Sequence, residues 1–146
     1  MSQNDSGFPR WKEIAVGDAL PTFELPITPS VIVAGAIASR DFMPVHHDRS
    51  YAIGQGAPDI FMNILTTNGY VSRYVTDWAG PEAMLEKIAI RLGVPALPDM
   101  TLRFTGKVVR TERRGDLGVL EIETTGTTEI GDHVTGSVVL NLPIGD

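Results

Sequence analysis

The chain has 146 residues, 42% of them hydrophobic and 21% charged, which suffices for one ordinary globular core and not for two large ones. Twelve Lys and Arg against 18 Asp and Glu give a net charge of −6 with no basic run, which argues against a nucleic-acid or anionic-membrane surface. The absence of cysteine excludes disulfides, thiolate metal ligands and thiol nucleophiles, so any catalysis must use oxygen or imidazole groups.

Residues 1–10 are polar and read as a flexible N-terminal tail without signal-peptide character; residues 11–146 read as a single domain. No run of about 18 apolar residues occurs, so a soluble cytoplasmic protein is expected. The body opens with Trp11, Ile14 and Val16. Leu20 to Ile27, punctuated by prolines, predicts an edge or opening strand. The β-branched and small residues of VIVAGAIAS, Val31 to Ser39, predict a second strand with one face buried. Asp41 to Ser50, with a proline, two adjacent histidines and two aspartates, predicts a loop.

From Asp59 the pattern becomes helical. Ile60, Ile64, Val71, Val75 and Trp78 fall on one stripe, predicting a long helix from about Ile60 to Thr76, capped by Asp59 and stopped by Gly80-Pro81. Tyr70, Tyr74 and Trp78 read as packing residues of that helix. Period-two alternation then marks four strands: Ile88, Ile90, Leu92 and Val94; Leu102, Phe104 and Val108; Leu120 and Ile122; Val134, Val138, Leu140 and Leu142. Glu121 and Glu123 fall on the solvated face of their strand. The links through Pro95 and Pro98-Asp99, Arg114-Gly115-Asp116 and Gly131-Asp132 are too short for crossover helices, so the strands are antiparallel. The fold class is α+β: one long central helix packed on a five- or six-stranded antiparallel sheet. The exposed edges of so small a sheet invite pairing with a second copy or a relative.

Chemistry concentrates in Asp41 to Ala52. A carboxylate, Asp41, and an imidazole, His46, lie five residues apart on a loop stiffened by Pro44, and such a pair can hold one water for addition to an activated double bond. Loop Asp and His residues also serve as plain turn-formers, and spacing alone leaves both readings open. No metal site is expected, because His46, His47 and Asp48 diverge in an extended loop and His133 is the only other histidine. Gly54-Gln55-Gly56 lacks the third glycine and the context of a dinucleotide site, and neither Ser39 nor Ser72 sits in a nucleophile elbow.

The stretch SRDFMPVHHDRSYA, followed by a central helix and antiparallel strands, resembles the hydratase signature of MaoC-like (R)-specific enoyl-CoA hydratases: Asp, two residues, Pro, one residue, His. The similarity runs from about Leu20 to Leu142. Within that family, DIFMNILTTNGYVSRYVTDWAGP and IRLGVPALPD resemble the small subunits of heteromeric members that act on steroid side chains in cholesterol catabolism. The resemblance implies a hot-dog fold and addition of water to a trans-2-enoyl-CoA, giving a (3R)-hydroxyacyl-CoA. It implies Asp41 and His46 as the catalytic pair and a second MaoC-like hot-dog subunit as partner, a homodimer being the other possibility. CoA is part of the substrate and no cofactor is implied.

The thioester oxygen turns negative during addition, and free amides near the helix start, at Met62 to Ile64, suit it; backbone N–H groups of Asn63 and Ile64 are the expected donors. This chain departs from many family members in having Met43 in place of Asn, and Met62-Asn63 in place of His-Gly. Met43 and Met62 are therefore expected to line an apolar, deformable substrate pocket suited to a bulky ring. Arg40, Arg49, Arg73, Arg91, Arg103 and Lys107 are the candidate cations for the CoA phosphates, each also readable as a solvated surface charge. Two other functions remain open. One is a hot-dog acyl-CoA thioesterase, for which the helix offers only Asp59 and Asp77 at its ends. The other is a non-catalytic scaffold supporting an active MaoC-like partner.

Overall fold

The structure is a computed structural model that describes residues 7–145. Five strands form one antiparallel sheet: β1 (Ala19–Pro26), β2 (Met84–Leu92), β3 (Thr101–Arg114), β4 (Leu117–Thr128) and β5 (Gly131–Pro143), in the order β1-β3-β4-β5-β2. The strand before the helices thus joins those after them, as the hot-dog arrangement requires, and β1 and β2 are left as free edges. Tight hairpins join β3 to β4 and β4 to β5; Gly115 with φ 63° opens the two-residue turn between the paired Arg114 and Leu117.

Alternation places one apolar face of the sheet inward. Val108 pairs with Ile122, Ile122 with Val138, and Val138 with Ile88, a continuous row across four strands. The first three are fully buried, and each such side chain contributes about 1.5–3 kcal/mol by leaving water. Against this face lies helix α3 (Ile64–Ala79), burying Thr67, Val71, Tyr74, Val75 and Ala79. The Tyr74 ring stacks on Phe104 with centroids 5.7 Å apart and crosses the sheet at Gly106, where a Cβ would come within 3.0 Å of the ring. A side chain at position 106 would therefore require the Tyr74 ring to give way by a few tenths of an ångström. The helix ends where Gly80 takes φ 91° and its amide bonds back to Thr76.

Two expectations are corrected. Val31 to Ser39 is not a strand but most of helix α1 (Pro29–Ala38), which is followed by the short helix α2 (Arg49–Gly54). Thr28 caps α1, its Oγ1 accepting the Val31 amide at 3.1 Å, and Pro29 supplies the preset φ of a first helical residue. Ile32 and Ala36, four residues apart, are its buried contacts. The long helix also starts later than expected, because Asn63 rather than Asp59 is its cap. The Met62 amide is bonded to Ala96 O at 3.0 Å, which pins the preceding residues in a non-helical path; Ile60 is buried there, and Ile64 faces outward.

Of residues 1–10, only 7–10 are among the described residues, and Phe8 lies against Gly80. Among the described residues no helix is long and apolar enough to cross a membrane.

Candidate active site

The end of α1 aims Asp41. The Arg40 amide bonds to Ile37 O and the Asp41 amide to Ala36 O, a 6→1, 5→2 pattern that needs a left-handed residue between them. Arg40 fills that position with φ 56°, a conformation glycine would adopt without strain. The chain then turns through Pro44–His46, one turn of 3-10 helix, with the His47 amide bonded to Pro44 O. Asp48 caps α2 through the Tyr51 amide at 2.9 Å, so this carboxylate is structural.

These local structures bring Asp41 and His46 together: Oδ2 of Asp41 is 3.3 Å from Nε2 of His46. His46 Nδ1 lies 2.6 Å from the carbonyl oxygen of Phe61; because a carbonyl only accepts, Nδ1 carries a proton and Nε2 is left to face the carboxylate. The Phe61 ring stands edge-on to the imidazole, centroids 4.9 Å apart, and only 7% of His46 is exposed. Asp41 accepts at both oxygens, Oδ1 from the Met43 amide at 3.2 Å and Oδ2 from Asn63 Nδ2 at 3.0 Å. The Asn63 amide, then the Met43 N–H, hold the carboxyl below the usual carboxylate range; desolvation opposes them, and His46 and His47 add weaker pulls downward. His47 itself donates Nε2–H to the Asp41 carbonyl at 2.8 Å, fixing the backbone of the loop.

The pair opens onto a cavity of about 480 Å³. Its wall combines Phe61, Met62, Asn63 and Ile64 from the entry to α3 with Leu92 at the end of β2 and Gly93 to Pro95 after it, and with His133 on β5. A larger hollow of about 600 Å³ lies at the other end of α3, between Phe8–Lys12 and Leu142–Gly145, and no imidazole lines it. The acid–imidazole pair therefore selects the smaller cavity as the site.

Each expected residue can now be placed. Met62 lines the cavity, but Met43 does not: its side chain is 49% exposed, and its contribution is the backbone N–H to Asp41. The Met62 amide is spent on Ala96, whereas among the described residues the amides of Asn63 and Ile64 have no hydrogen-bond partner, leaving two donors at the positive end of α3. Of the six cations, Arg49 pairs with Asp59 at 3.4 Å, Arg73 with Asp77 at 3.3 Å, and Arg103 with Glu24. None of the six lines the cavity, and neither do Asp59 and Asp77.

Three participants were missed. Ser39 Oγ donates to Gly35 O at 2.8 Å and accepts from Asn63 at 2.9 Å. The Asn63 side chain caps α3 through the Thr66 amide; an Asn just ahead of a helical run is a capping signal, masked here by Asp59 four residues earlier. His133, 2% exposed, receives the Thr67 hydroxyl at Nε2 (2.8 Å) and donates Nδ1–H to Val94 O (2.7 Å). Nothing in its strand pattern marks it as part of a cavity wall.

The chain is thus a hot-dog protein, one sheet with one central helix, with a carboxylate–imidazole pair opening onto a cleft at that helix's amino end. Residues 13–130 match the family described as MaoC like domain, and the chain belongs to that family. It is 46% identical over 127 residues, 87% of this chain and 95% of the relative, to the 3-oxo-4,17-pregnadiene-20-carboxyl-CoA hydratase beta subunit of Mycobacterium tuberculosis. Among solved structures it is similar to the ChsH1-ChsH2 complex from the same organism, with TM-score 0.83 and 46% identity over 88% of this chain and 98% of that one. The unliganded R-hydratase PhaJ1 of Pseudomonas aeruginosa matches at TM-score 0.83 and 19% identity over 93% of this chain and 86% of that one, which shows the shared fold.

Proposed function

We propose that the chain is a hydro-lyase subunit that adds water to a trans-2-enoyl-CoA, giving the (3R)-hydroxyacyl-CoA, with Asp41 and His46 as the catalytic pair. The observation that carries this reading is the 3.3 Å approach of Asp41 Oδ2 to His46 Nε2 at the wall of a mostly apolar cavity also lined by Asn63 and Ile64, whose amides have no partner among the described residues. An ionised Asp41 and the Nε2 face of His46 hold one water between them. As its oxygen bonds to the β-carbon, a proton passes to the pair, and the thioester oxygen gathers the negative charge of an enolate. The amides of Asn63 and Ile64 receive that charge. The pair then returns a proton to the α-carbon on the same face, so the sum is one water added across the double bond.

A bulky steroid-type acyl group suits the apolar wall of Phe61, Met62, Leu92 and Val94, and the named relative supports that class. The relative is a beta subunit, which supports a second MaoC-like chain as the partner here. Exposed apolar side chains flank both the mouth and the free β2 edge, among them Phe42 at 69%, Ile64 at 51% and Met84 at 64%, and a partner would cover them. In the assembled complex, Asp41→Asn and His46→Ala should each lower turnover by roughly 10²-fold or more, followed by loss of enoyl-thioester absorbance. Unchanged turnover would move the chemistry to the partner and leave this chain a scaffold.

A further inference from the structure

Asn63 is 2% exposed, yet its side chain meets three groups from two separate elements. Oδ1 accepts the Thr66 amide at 3.0 Å, while Nδ2 donates to Asp41 Oδ2 at 3.0 Å and to Ser39 Oγ at 2.9 Å. This orientation of the amide is fixed by chemistry. Turning it over would set its NH₂ against the Thr66 N–H and its oxygen against the Asp41 carboxylate, losing both contacts to like-signed poles. The Asp41 oxygen it reaches is the same Oδ2 that faces His46. One side chain therefore ties the end of α1, which carries Ser39 and Asp41, to the first turn of α3, whose amides are the free donors of the cavity.

We propose that the Asn63 side chain is a positioning residue of the hydration reaction, clamping the Asp41 carboxylate against His46 and locking it in register with the amino end of α3. This rests on the hydratase reading. Asn63 touches no reacting atom through its side chain; it acts by aiming Asp41 and by favouring the ionised carboxylate. A capping role alone would be served equally by Ser or Asp, which rank with Asn at a helix start. Neither could donate from the same place: Ser is too short to reach across to Asp41, and Asp brings a like charge.

That difference supplies the test. Asn63→Ser and Asn63→Asp are prepared in the assembled complex beside Asp41→Asn, and kcat, KM and the pH dependence of kcat/KM are measured with an enoyl-CoA. The groups acting on the Asp41 carboxylate from the packed elements are His46 and His47, the Met43 amide and Asn63 itself. Loss of the Asn63 donor should lower kcat roughly 10-fold or more with little change in KM, since a carboxylate misplaced by part of an ångström loses the near-attack geometry. It should also move the acid limb of the profile to higher pH, further in Asn63→Asp than in Asn63→Ser. Where Asn63→Ser does not assemble, Asn63→Asp, of the same size and with the same capping oxygen, carries the result.

An acid limb that stays in place in the variant that assembles, with kcat near that of the parent, overturns the proposal while a dead Asp41→Asn leaves the hydratase reading standing. Full turnover in Asp41→Asn instead overturns that reading, and the positioning role with it.

Discussion

Two imidazoles line the same cavity and do different work. His46 and His133 each donate Nδ1–H to a backbone carbonyl, Phe61 at 2.6 Å and Val94 at 2.7 Å, so both present Nε2 to the interior side of their site. At His46 the group facing Nε2 is the Asp41 carboxylate; at His133 it is the Thr67 hydroxyl. Burial pushes the His133 imidazole below its ordinary pKa of 6.5, only partly offset by the bond to Val94. On the proposed reaction, a carboxylate neighbour makes His46 half of a proton-transfer pair, whereas the neutral Thr67 neighbour makes His133 a strut between β5, α3 and the residues after β2. Residue type is the same; the partner decides the role.

Truncating each ring separates them most sharply. His46→Ala should abolish nearly all turnover while leaving the complex folded, and the folded fraction of His133→Ala should turn over at least tenfold faster than His46→Ala. In thermal or denaturant unfolding the order reverses. His133→Ala strands the Val94 carbonyl, leaves the Thr67 hydroxyl only its 3.3 Å contact with Asn63 O, and opens a void, so about 2–3 kcal/mol of stability should be lost. Equal losses of activity from the two variants would erase the distinction.

The pH dependence of stability sharpens it further. His133 stays neutral in the folded chain over a range where the unfolded chain, at its ordinary value near 6.5, already binds a proton. The unfolded state then holds more protons, so stability falls as pH drops below about 6.5 and stops falling only beneath the depressed folded value. His133→Gln, which retains one donor and one acceptor, should flatten that part of the unfolding curve. An unaltered slope would mean that His133 is not held neutral by burial. The smallest effect is expected at Arg40, whose φ of 56° suits glycine: Arg40→Gly should raise stability by about 0.5–1 kcal/mol, read from the unfolding midpoint, without moving Asp41.

The readable parts of the sequence were those where one signal stood alone. Period two along Leu102 to Val108 and Val134 to Leu142 has no helical rival, and these residues are the inner face of the sheet. The Asp41–His46 pair was legible from its spacing about Pro44 and its family signature. Helix α1 was not, because VIVAGAIA carries apolar groups on every face and leaves no helical period to see; Ile37 is 53% exposed for that reason. Its start was nonetheless written in Thr28-Pro29. The entry to α3 was misplaced because Asp59 and Asn63 are both good caps and Ile60 falls in phase with the stripe. Only the Met62–Ala96 backbone bond, a contact between residues far apart in sequence, decides between them. Met43 fell outside the pocket it was expected to line, and His133 fell within it, for the same kind of reason: which cavity a loop or strand residue meets depends on packing across the fold.

The most direct measurement is a crystal structure of the assembled protein with Asp41→Asn, soaked with an enoyl-CoA so that the thioester is trapped before hydration. One water bonded to both position 41 and His46 Nε2 beside the β-carbon, with the thioester oxygen on the amides of Asn63 and Ile64, is the expected result. An acyl chain lying outside this cavity, or a β-carbon out of reach of His46, would contradict it.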